Sequence, residues 1–294
     1  MDYHIWQRLA EFGYLAAVAL SVAVMLFGRE INGSKRWLAL GPFSFQPSEF
    51  AKVALILFLA DLVTKNVKTI GKMWTLCRIM FWILPIVGLV GASNLSTAII
   101  ILGIGVILIF VASPKYAQFA LMGIAGACFM GIFLALESYR LERLAIWRNP
   151  EKYEKGYQTL QGLYAIGSGG VFGVGIGNSV QKLGFVPEAQ NDMIFSIICE
   201  ELGLAGAGII VFLFLLLIWR FFLIASGSRD LFGALIATGA MAHMMIQVIL
   251  NIAVVTNTIP NTGITLPFIS YGGTSVMFLL IEMGLVLSVS QVVD

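Results

Sequence analysis

Asp192 is the residue of this chain with the clearest capacity for chemistry, because it stands just before a long apolar run. The stretch from Pro187 to Ser196 contains Glu188 and Asp192 and leads into an apolar run over residues 202–219. A carboxylate at the entrance of a membrane helix, open to water on one side, could act as a general base on the polar head of a lipid-borne substrate. Helix capping predicts an acid at the same place, because an acid at a helix N-terminus is stabilising by about 0.3–1 kcal/mol. The spacing alone leaves both interpretations open.

The surroundings of Asp192 depend on where its helix begins. A helix that starts at Asp192 would place Asp192, Ser196 and Glu200 on one face, at positions i, i+4 and i+8. Glu188 precedes Asp192 by about one helical turn. We therefore include Glu188 among the candidate substrate-binding residues.

Charged residues also occur at the start of the second apolar run. Glu49 and Lys52 are spaced i, i+3 there, and charged side chains at membrane depth normally pair or face a cavity. One interpretation is a salt bridge that holds helices together. The alternative is that the pair shapes a substrate cavity.

Polar residues recur inside the last two apolar runs. His243, Gln247 and Asn251 form an i, i+4, i+8 stripe, for which hydrogen bonds between helices are the expected role. Glu282 lies midway along the last run and must be either paired or protonated. The sequence does not decide between these two states.

The segment between residues 137 and 191 is polar and then glycine-rich. Its charges alternate in sign, which is typical of a solvated amphipathic surface or of a cationic rim that gathers phosphate groups. The charged residues are Glu137, Arg140, Glu142, Arg143, Arg148, Glu151, Lys152, Glu154 and Lys155. The glycines of residues 167–177 indicate either a backbone nest for an anion or a flexible or re-entrant loop at the membrane surface. No Gly-Lys-Ser/Thr follows, so this is not a P-loop.

The composition places these residues in a membrane protein. Hydrophobic residues make up 59% of the 294 residues and charged residues 12%, about half the charged fraction of a soluble domain. The net charge of +2 gives no argument for nucleic-acid binding. Together with a mean hydropathy of +0.92, these values predict one polytopic membrane domain over residues 1–294.

The apolar runs predict an all-α fold with about eight transmembrane helices and one long extracytoplasmic loop, residues 137–191. A helix pair divided at Asn94 accounts for the uncharged run before Pro114. The distribution of basic residues near short loops favours cytoplasmic termini. The predicted helices cover about residues 9–27, 46–63, two within 79–114, 116–136, 192–222, 231–255 and 274–292.

Four motifs occur in the order in which a known family carries them. They are NGSKRW at residues 32–37, FQPSEFAK at residues 45–52, residues 187–203, and GITLPFISYGGTS at residues 263–275. With the helix pattern they cover nearly the whole chain. In these motifs the chain resembles the SEDS family of bacterial shape, elongation, division and sporulation proteins, which includes FtsW, RodA and SpoVE. Residues 177–182 resemble the division and sporulation branch.

The resemblance implies a peptidoglycan glycosyltransferase that polymerises lipid II at the outer face of the bacterial cytoplasmic membrane, with Mg²⁺ or Mn²⁺. The essential aspartate of the family falls on Asp192, and its conserved Glu and Lys at the cavity mouth fall on Glu49 and Lys52. Arg140, Arg143 and Lys152 are the cations we expect near the pyrophosphate. The implied protein partner is a class B penicillin-binding protein, a transpeptidase that would contact the sixth and seventh helices.

The chain departs from the family pattern in ways that keep other functions open. The family usually has ten helices, and this chain resembles it from the polar turn after the second one onward. Gln190-Asn191 stands where the family usually has His-Thr. A transporter that moves lipid II and a scaffold that anchors the transpeptidase are the alternatives to the enzyme.

Overall fold

The computed structural model describes residues 2–31, 34–40, 43–120, 123 and 144–292. Two compact units are present. The first consists of Met1–Tyr116, Ile218–Ile246 and Gly272–Asp294, and the second consists of Ala117–Leu217 and Gln247–Tyr271.

Long helices dominate the described part of the chain. The eight α-helices of more than eight residues are α1 His4–Phe27, α2 Pro47–Asn66, α3 Met73–Ser93, α4 Leu95–Ala112, α5 Tyr157–Gly169, α6 Ile194–Gly227, α7 Leu231–Val255 and α8 Gly273–Ser290. Six of these are long and apolar enough to cross a membrane, namely α1, α3, α4, α6, α7 and α8. The predicted membrane fold is therefore confirmed, whereas the count of eight spans stays a prediction.

The helix α2 is the central element of the first unit. It contacts α1, α3, α4 and α8, and most of its side chains are buried. Its four charged residues, Glu49, Lys52, Asp61 and Lys65, would be costly against lipid. Asp61 is paired both within α2, where it binds Lys65 at 2.6 Å, and with α1, where Gln7 donates a hydrogen bond to it at 3.0 Å.

Local signals explain several helix boundaries. Pro47 occupies the first turn of α2, where its missing N–H would be unpaired in any case. Asn94 separates α3 from α4 as predicted, and its side chain accepts a hydrogen bond from the Thr97 amide at 3.3 Å, which caps α4. The predicted helix 116–136 is helical at residues 117–120, and most of its remainder lies outside the described residues.

A small antiparallel sheet precedes α2 and was not predicted. Its strands are β1 Arg29–Ile31, β2 Ser34–Leu40 and β3 Phe43–Phe45, in the order β1-β2-β3. Strands of three to seven residues are too short to give a clear alternation of polar and apolar residues. The sheet contacts α1, α2 and α3 through β2.

In the second unit, the predicted loop 137–191 contains a helix. The buried face of α5 consists of small residues, Thr159, Gly162, Ala165 and Gly169. A Cβ added at Gly162 would lie 2.3 Å from the Met193 side chain, and one at Gly169 would lie 1.9 Å from the Cys199 carbonyl oxygen. Small residues therefore let α5 pack closely against the start of α6. With 13 residues, α5 is too short to span a membrane, so it is a helix within the predicted loop between membrane helices.

The glycine-rich segment forms hydrogen bonds with the backbone groups at a break in α6. Gly203 has φ 67° and ψ −170° and interrupts the helix, which leaves backbone groups on both sides without helical partners. The amides of Val174 and Gly175 donate to the carbonyls of Glu200 and Glu201, at 2.9 and 3.0 Å. In return, the amides of Leu204 and Ala205 donate to the carbonyls of Gly170 and Val171, also at 2.9 and 3.0 Å. These four bonds satisfy polar groups that a lipid environment could not.

The close approach at the break gives a testable stability difference. Gly173 (φ 79°) and Gly177 (φ 87°) share a left-handed backbone, but a Cβ at Gly173 would lie 2.1 Å from the Glu201 carbonyl oxygen, whereas one at Gly177 meets nothing within 4 Å. We expect Gly173→Ala to destabilise the protein by about 1–3 kcal/mol more than Gly177→Ala, because only the first adds overpacking to backbone strain. Apparent melting temperatures in detergent would measure this, and equal values would contradict the docking of the loop.

Candidate functional site

Asp192 lies at the centre of a compact polar site in the second unit. It stands in a turn two residues before α6 begins, and only 7% of its surface is exposed. A shared helix face with Ser196 and Glu200 would require α6 to start at Asp192. Asp192 lies outside the helix, so this requirement is not met. Burial of an ionised carboxylate is costly unless the group is paired or hydrogen-bonded.

Three hydrogen bonds fix the backbone carbonyls of Asp192 and the two residues before it. The Asn251 side chain of α7 donates to the Asp192 carbonyl at 2.9 Å and to the Ile264 carbonyl at 2.7 Å. The Ser270 hydroxyl donates to the Asn191 carbonyl at 2.7 Å. The Tyr271 amide donates to the Gln190 carbonyl at 2.8 Å. Residues 190–192 are thus tied to one helix and to the loop that follows it.

Both loops at this site contain strained backbone. Glu188 has φ 56° and Phe268 has φ 61°, a conformation that is unfavourable for residues with a side chain. The carbonyl of Glu188 accepts hydrogen bonds from the amides of Asn191 and Met193, at 2.9 and 3.4 Å, and its carboxylate accepts one from the Asn191 side chain. Such strain persists where the surrounding contacts over-determine the structure, and it is concentrated at functional sites.

The Gln158 side chain of α5 faces the Asp192 carboxylate. Its Nε2 lies 3.4 and 3.5 Å from the two carboxylate oxygens. Its Oε1 accepts a hydrogen bond from the Asn261 side chain at 3.1 Å, which fixes the orientation of the Gln158 amide. Asn261 also accepts a hydrogen bond from the Gly263 amide at 3.1 Å, and a Cβ at Gly263 would lie 3.8 Å from Asp192 Oδ2.

These surroundings change the acidity of Asp192. Burial raises its pKa to about 6, and the negative charge of Glu188 acts in the same direction. Hydrogen bonds from backbone amides and from Gln158 lower it in part. A carboxyl group whose pKa lies near neutral pH can gain and lose a proton under working conditions, which is the requirement for a general acid or base.

The neighbours predicted on the same helix face have different roles. Glu200 accepts hydrogen bonds from the Ser179 hydroxyl, at 2.5 Å, and from the Val180 amide, at 3.1 Å. It therefore holds the glycine-rich loop rather than a substrate. The Ser196 hydroxyl is fully buried and has no hydrogen-bond partner among the described residues.

Two amides of the glycine-rich loop are not available to an anion. The amides of Val174 and Gly175 already donate to carbonyls of α6, so these donors are occupied. Glycine is needed there for close approach to the helix break, because a Cβ at Gly173 would lie 2.1 Å from the Glu201 carbonyl oxygen.

The cations of the long segment divide into two groups. Arg140 and Arg143 lie outside the described residues. Lys152 is exposed in a short 3-10 helix, Pro150–Lys152, that packs against α5, the helix that carries Gln158. Glu188 is also exposed, and the structure brings it close enough to affect the pKa of Asp192.

Glu49 and Lys52 form a salt bridge in the first unit. Their side chains are 8% and 2% exposed, and Lys52 Nζ lies 2.9 Å from Glu49 Oε1. The ion pair lies within α2, and the Glu49 carboxylate also accepts a hydrogen bond from Ser275 of α8. His243 Nδ1 of α7 lies 2.8 Å from the Glu282 carboxylate of α8, which shows that Glu282 is paired.

The polar stripe on α7 is only partly a set of contacts between helices. His243 fits that prediction, whereas the Gln247 side chain donates to the Thr265 carbonyl at 3.0 Å and Asn251 binds Asp192. Sequence reasoning missed Gln158, Asn261 and Ser270 as parts of the site. The only available signal was the motif at residues 263–275, which contains Ser270 but does not show its contact.

Comparisons with known proteins agree over almost the full chain. The sequence signature of a family described as cell cycle protein, FtsW/RodA/SpoVE, matches residues 1–294. Stage V sporulation protein E of Bacillus subtilis is 40% identical over 99% of this chain and 81% of that protein. A probable peptidoglycan glycosyltransferase FtsW of Coxiella burnetii is 37% identical over 97% of this chain and 79% of that protein.

Solved structures give the same result. A chain from a peptidoglycan synthase complex that coordinates polymerization and crosslinking matches with a TM-score of 0.85 and 29% identity, over 99% of this chain and 83% of that one. The rod shape determining protein RodA of Thermus thermophilus matches with a TM-score of 0.71 and 28% identity, over 99% of this chain and 80% of that one.

From the buried ion pair of α2 we expect a large loss of stability in a single variant and its recovery in a double variant. Lys52→Met should destabilise the protein by about 3–5 kcal/mol, because it leaves the Glu49 charge buried without its ion-pair partner. The double variant Glu49→Gln/Lys52→Met should recover most of this loss. Apparent melting temperatures of the purified variants would test both. A single variant as stable as the parent would show that Lys52 does not compensate the Glu49 charge.

Proposed function

The chain belongs to the FtsW/RodA/SpoVE family of cell cycle proteins, and we propose that it is a peptidoglycan glycosyltransferase that polymerises lipid II into glycan strands. It is a multi-pass protein of the bacterial cytoplasmic membrane. Both the curated relatives named as glycosyltransferases and the solved synthase complex support this activity. The single observation that carries the mechanism is the buried Asp192 carboxylate, with its pKa raised to about 6.

In this mechanism Asp192 is the general base. It takes the proton from the sugar 4-hydroxyl of the acceptor lipid II, and that oxygen attacks the anomeric carbon of the lipid-linked donor. The bond to the donor pyrophosphate breaks, and undecaprenyl pyrophosphate leaves with the bonding electron pair. One displacement at the anomeric carbon inverts its configuration. The hydrogen bonds around Asp192 support this role, because a fixed base reaches the hydroxyl without reorganisation.

The leaving pyrophosphate needs positive charge. Lys152 is exposed beside α5, and we assign it to the pyrophosphate together with Arg140 and Arg143. A divalent cation, Mg²⁺ or Mn²⁺, would neutralise the developing charge. Among the described residues, no group of three or more His, Cys, Asp or Glu side chains could hold a metal ion. Mg²⁺ commonly takes one or two carboxylates plus substrate phosphates, and the exposed carboxylate of Glu188 suits that need.

The proposal assigns Glu49 and Lys52 to substrate binding at the membrane cavity. Their almost complete burial as an ion pair suits a role in shaping that cavity rather than in proton transfer. The proposed protein partner is a class B penicillin-binding protein, a transpeptidase with one membrane helix. Exposed apolar side chains of α6, among them Ile209, Phe212 and Leu213, offer a surface for such a helix.

Replacement of the proposed base gives the first test. Asp192→Asn keeps the size of the side chain but cannot accept the proton, so the polymerisation rate should fall by about 10²–10⁴-fold. Purified protein reconstituted with Mn²⁺, the transpeptidase and lipid II would be assayed for glycan length on a gel. Unchanged melting temperature and transpeptidase binding would show that the variant is folded. Polymerisation at the parental rate would exclude Asp192 as the base.

The same assay separates the enzyme from the alternatives. A lipid II transporter would move lipid II across vesicles and make no glycan, and it would keep that transport in Asp192→Asn. A scaffold would bind the transpeptidase and show neither activity.

The pH dependence gives a second and independent test. Because the base must be deprotonated, the rate should fall by about tenfold per pH unit below pH 6, the pKa of Asp192. Gln158→Leu removes a donor to the carboxylate and should move this acidic limb to higher pH. Glu188→Gln removes a nearby negative charge and should move it to lower pH. Shifts of both variants in the same direction would contradict this electrostatic assignment.

A further inference from the structure

The glycine-rich loop carries an unusual concentration of exposed apolar side chains. We call these residues the apolar rim: Val171, Phe172, Val174, Ile176, Val180, Leu183 and Phe185. Phe172, Ile176 and Leu183 are 83%, 80% and 75% exposed. Exposed apolar side chains in this number within one short segment indicate an interaction site rather than a surface that faces water.

The charges near the apolar rim indicate what it contacts. Between residues 170 and 185 the only charged residue is Lys182, and its Nζ lies 2.5 Å from Glu201 Oε1. The neighbouring segment is different, because five of the eight residues 148–155 are charged and all but Pro150 are exposed. The second unit therefore has one segment suited to water and another, without net charge, suited to an apolar phase.

The backbone of the loop meets the main requirement for contact with lipid. Irregular segments are normally excluded from lipid because their N–H and C=O groups lack partners. Here Val174 and Gly175 donate to carbonyls of α6, and Gly170 and Val171 accept from amides of α6. The Glu200 side chain accepts a further bond from the Val180 amide at 3.1 Å.

The apolar rim is also continuous with a membrane surface. The Leu204 amide binds the Gly170 carbonyl, and the Leu204 side chain is 71% exposed at the start of the second part of α6. From there α6 continues through Ile209, Phe212 and Leu213, each more than half exposed. This part of α6 belongs to a helix apolar enough to span the membrane.

We propose that the apolar rim is inserted into the lipid bilayer and forms a non-helical membrane anchor for the second unit. The occupant of this surface is lipid acyl chain and head-group interface, in the manner of side chains that bind membranes by burying apolar area. The chain that leads to Asp192 continues directly from this anchor, where the Val186 amide donates to the Gln181 carbonyl at 2.9 Å. Residues 186–192 are thereby held near the level of the lipid head groups. The anchor does not depend on the catalytic role of Asp192.

Site-directed spin labelling would test this anchor in the full chain. Single cysteines would be introduced as Phe172→Cys and Ile176→Cys after the three native cysteines are replaced by alanine. The protein would be labelled with a nitroxide and reconstituted into phosphatidylglycerol and phosphatidylethanolamine vesicles. Collision rates with oxygen, which concentrates in lipid, and with a water-soluble nickel complex would then be compared. Leu213→Cys on α6 serves as the lipid control, and Glu154→Cys serves as the water control.

The two outcomes are distinct. We expect the oxygen-to-nickel collision ratio at positions 172 and 176 to resemble that at position 213 and to exceed that at position 154 several-fold. A ratio like that of position 154 would overturn the proposal, and it is also the outcome expected if the apolar rim instead binds a water-soluble protein domain.

A second measurement avoids the nitroxide label and the cysteine replacements. Phe172→Trp would add a fluorescent side chain to the apolar rim. If the rim lies in the bilayer, brominated lipids should quench the added fluorescence, and aqueous iodide should not. The parent protein supplies the background from its six tryptophans. Quenching of the added signal by iodide alone would exclude the anchor. Neither readout depends on polymerisation, so failure of the glycosyltransferase proposal would leave this result unaffected.

Discussion

The need to satisfy every polar group inside an apolar phase governs this structure. At Gly203 the helix α6 breaks, and the resulting free amides and carbonyls would each cost several kcal/mol in lipid. The glycine-rich loop supplies both the donors and the acceptors that the break requires. Because Gly173 must lie against the Glu201 carbonyl to do this, its lack of a side chain is a geometric requirement. The break and the loop therefore form one structural feature.

The same need shapes the candidate site. The carbonyls of residues 190–192 are paired with the Tyr271 amide, the Ser270 hydroxyl and the Asn251 amide group. Once the backbone is fixed by these bonds, the Asp192 carboxylate is left in a poorly solvated position with weak donors. Its pKa rises to about 6 for that reason. The rigid backbone and the raised pKa of the side chain thus have one physical origin.

In the first unit, two pairs of charged side chains are enclosed by protein. The helix α2 contains more charged residues than a lipid-facing helix tolerates, yet it lies among four other helices. The Glu49–Lys52 and His243–Glu282 pairs are almost fully buried. Buried ion pairs contribute little net stability and are retained for specificity or function in some proteins.

The sequence by itself determined the membrane fold, the helix α7 to the residue, the division of α3 from α4 at Asn94, and Asp192 as the central carboxylate. These features follow from local composition and from motifs. Both can be read from neighbouring residues in the sequence, without knowledge of which residues meet in the folded chain. Only the tertiary structure decided the contacts of Gln158, Asn261 and Ser270 with the site, since each comes from a distant part of the chain. It also decided that Glu282 pairs with His243 and that the glycine-rich segment closes a helix break. Apolar run lengths contain no information about such contacts, because they depend on which backbone groups remain unpaired after the helices have formed.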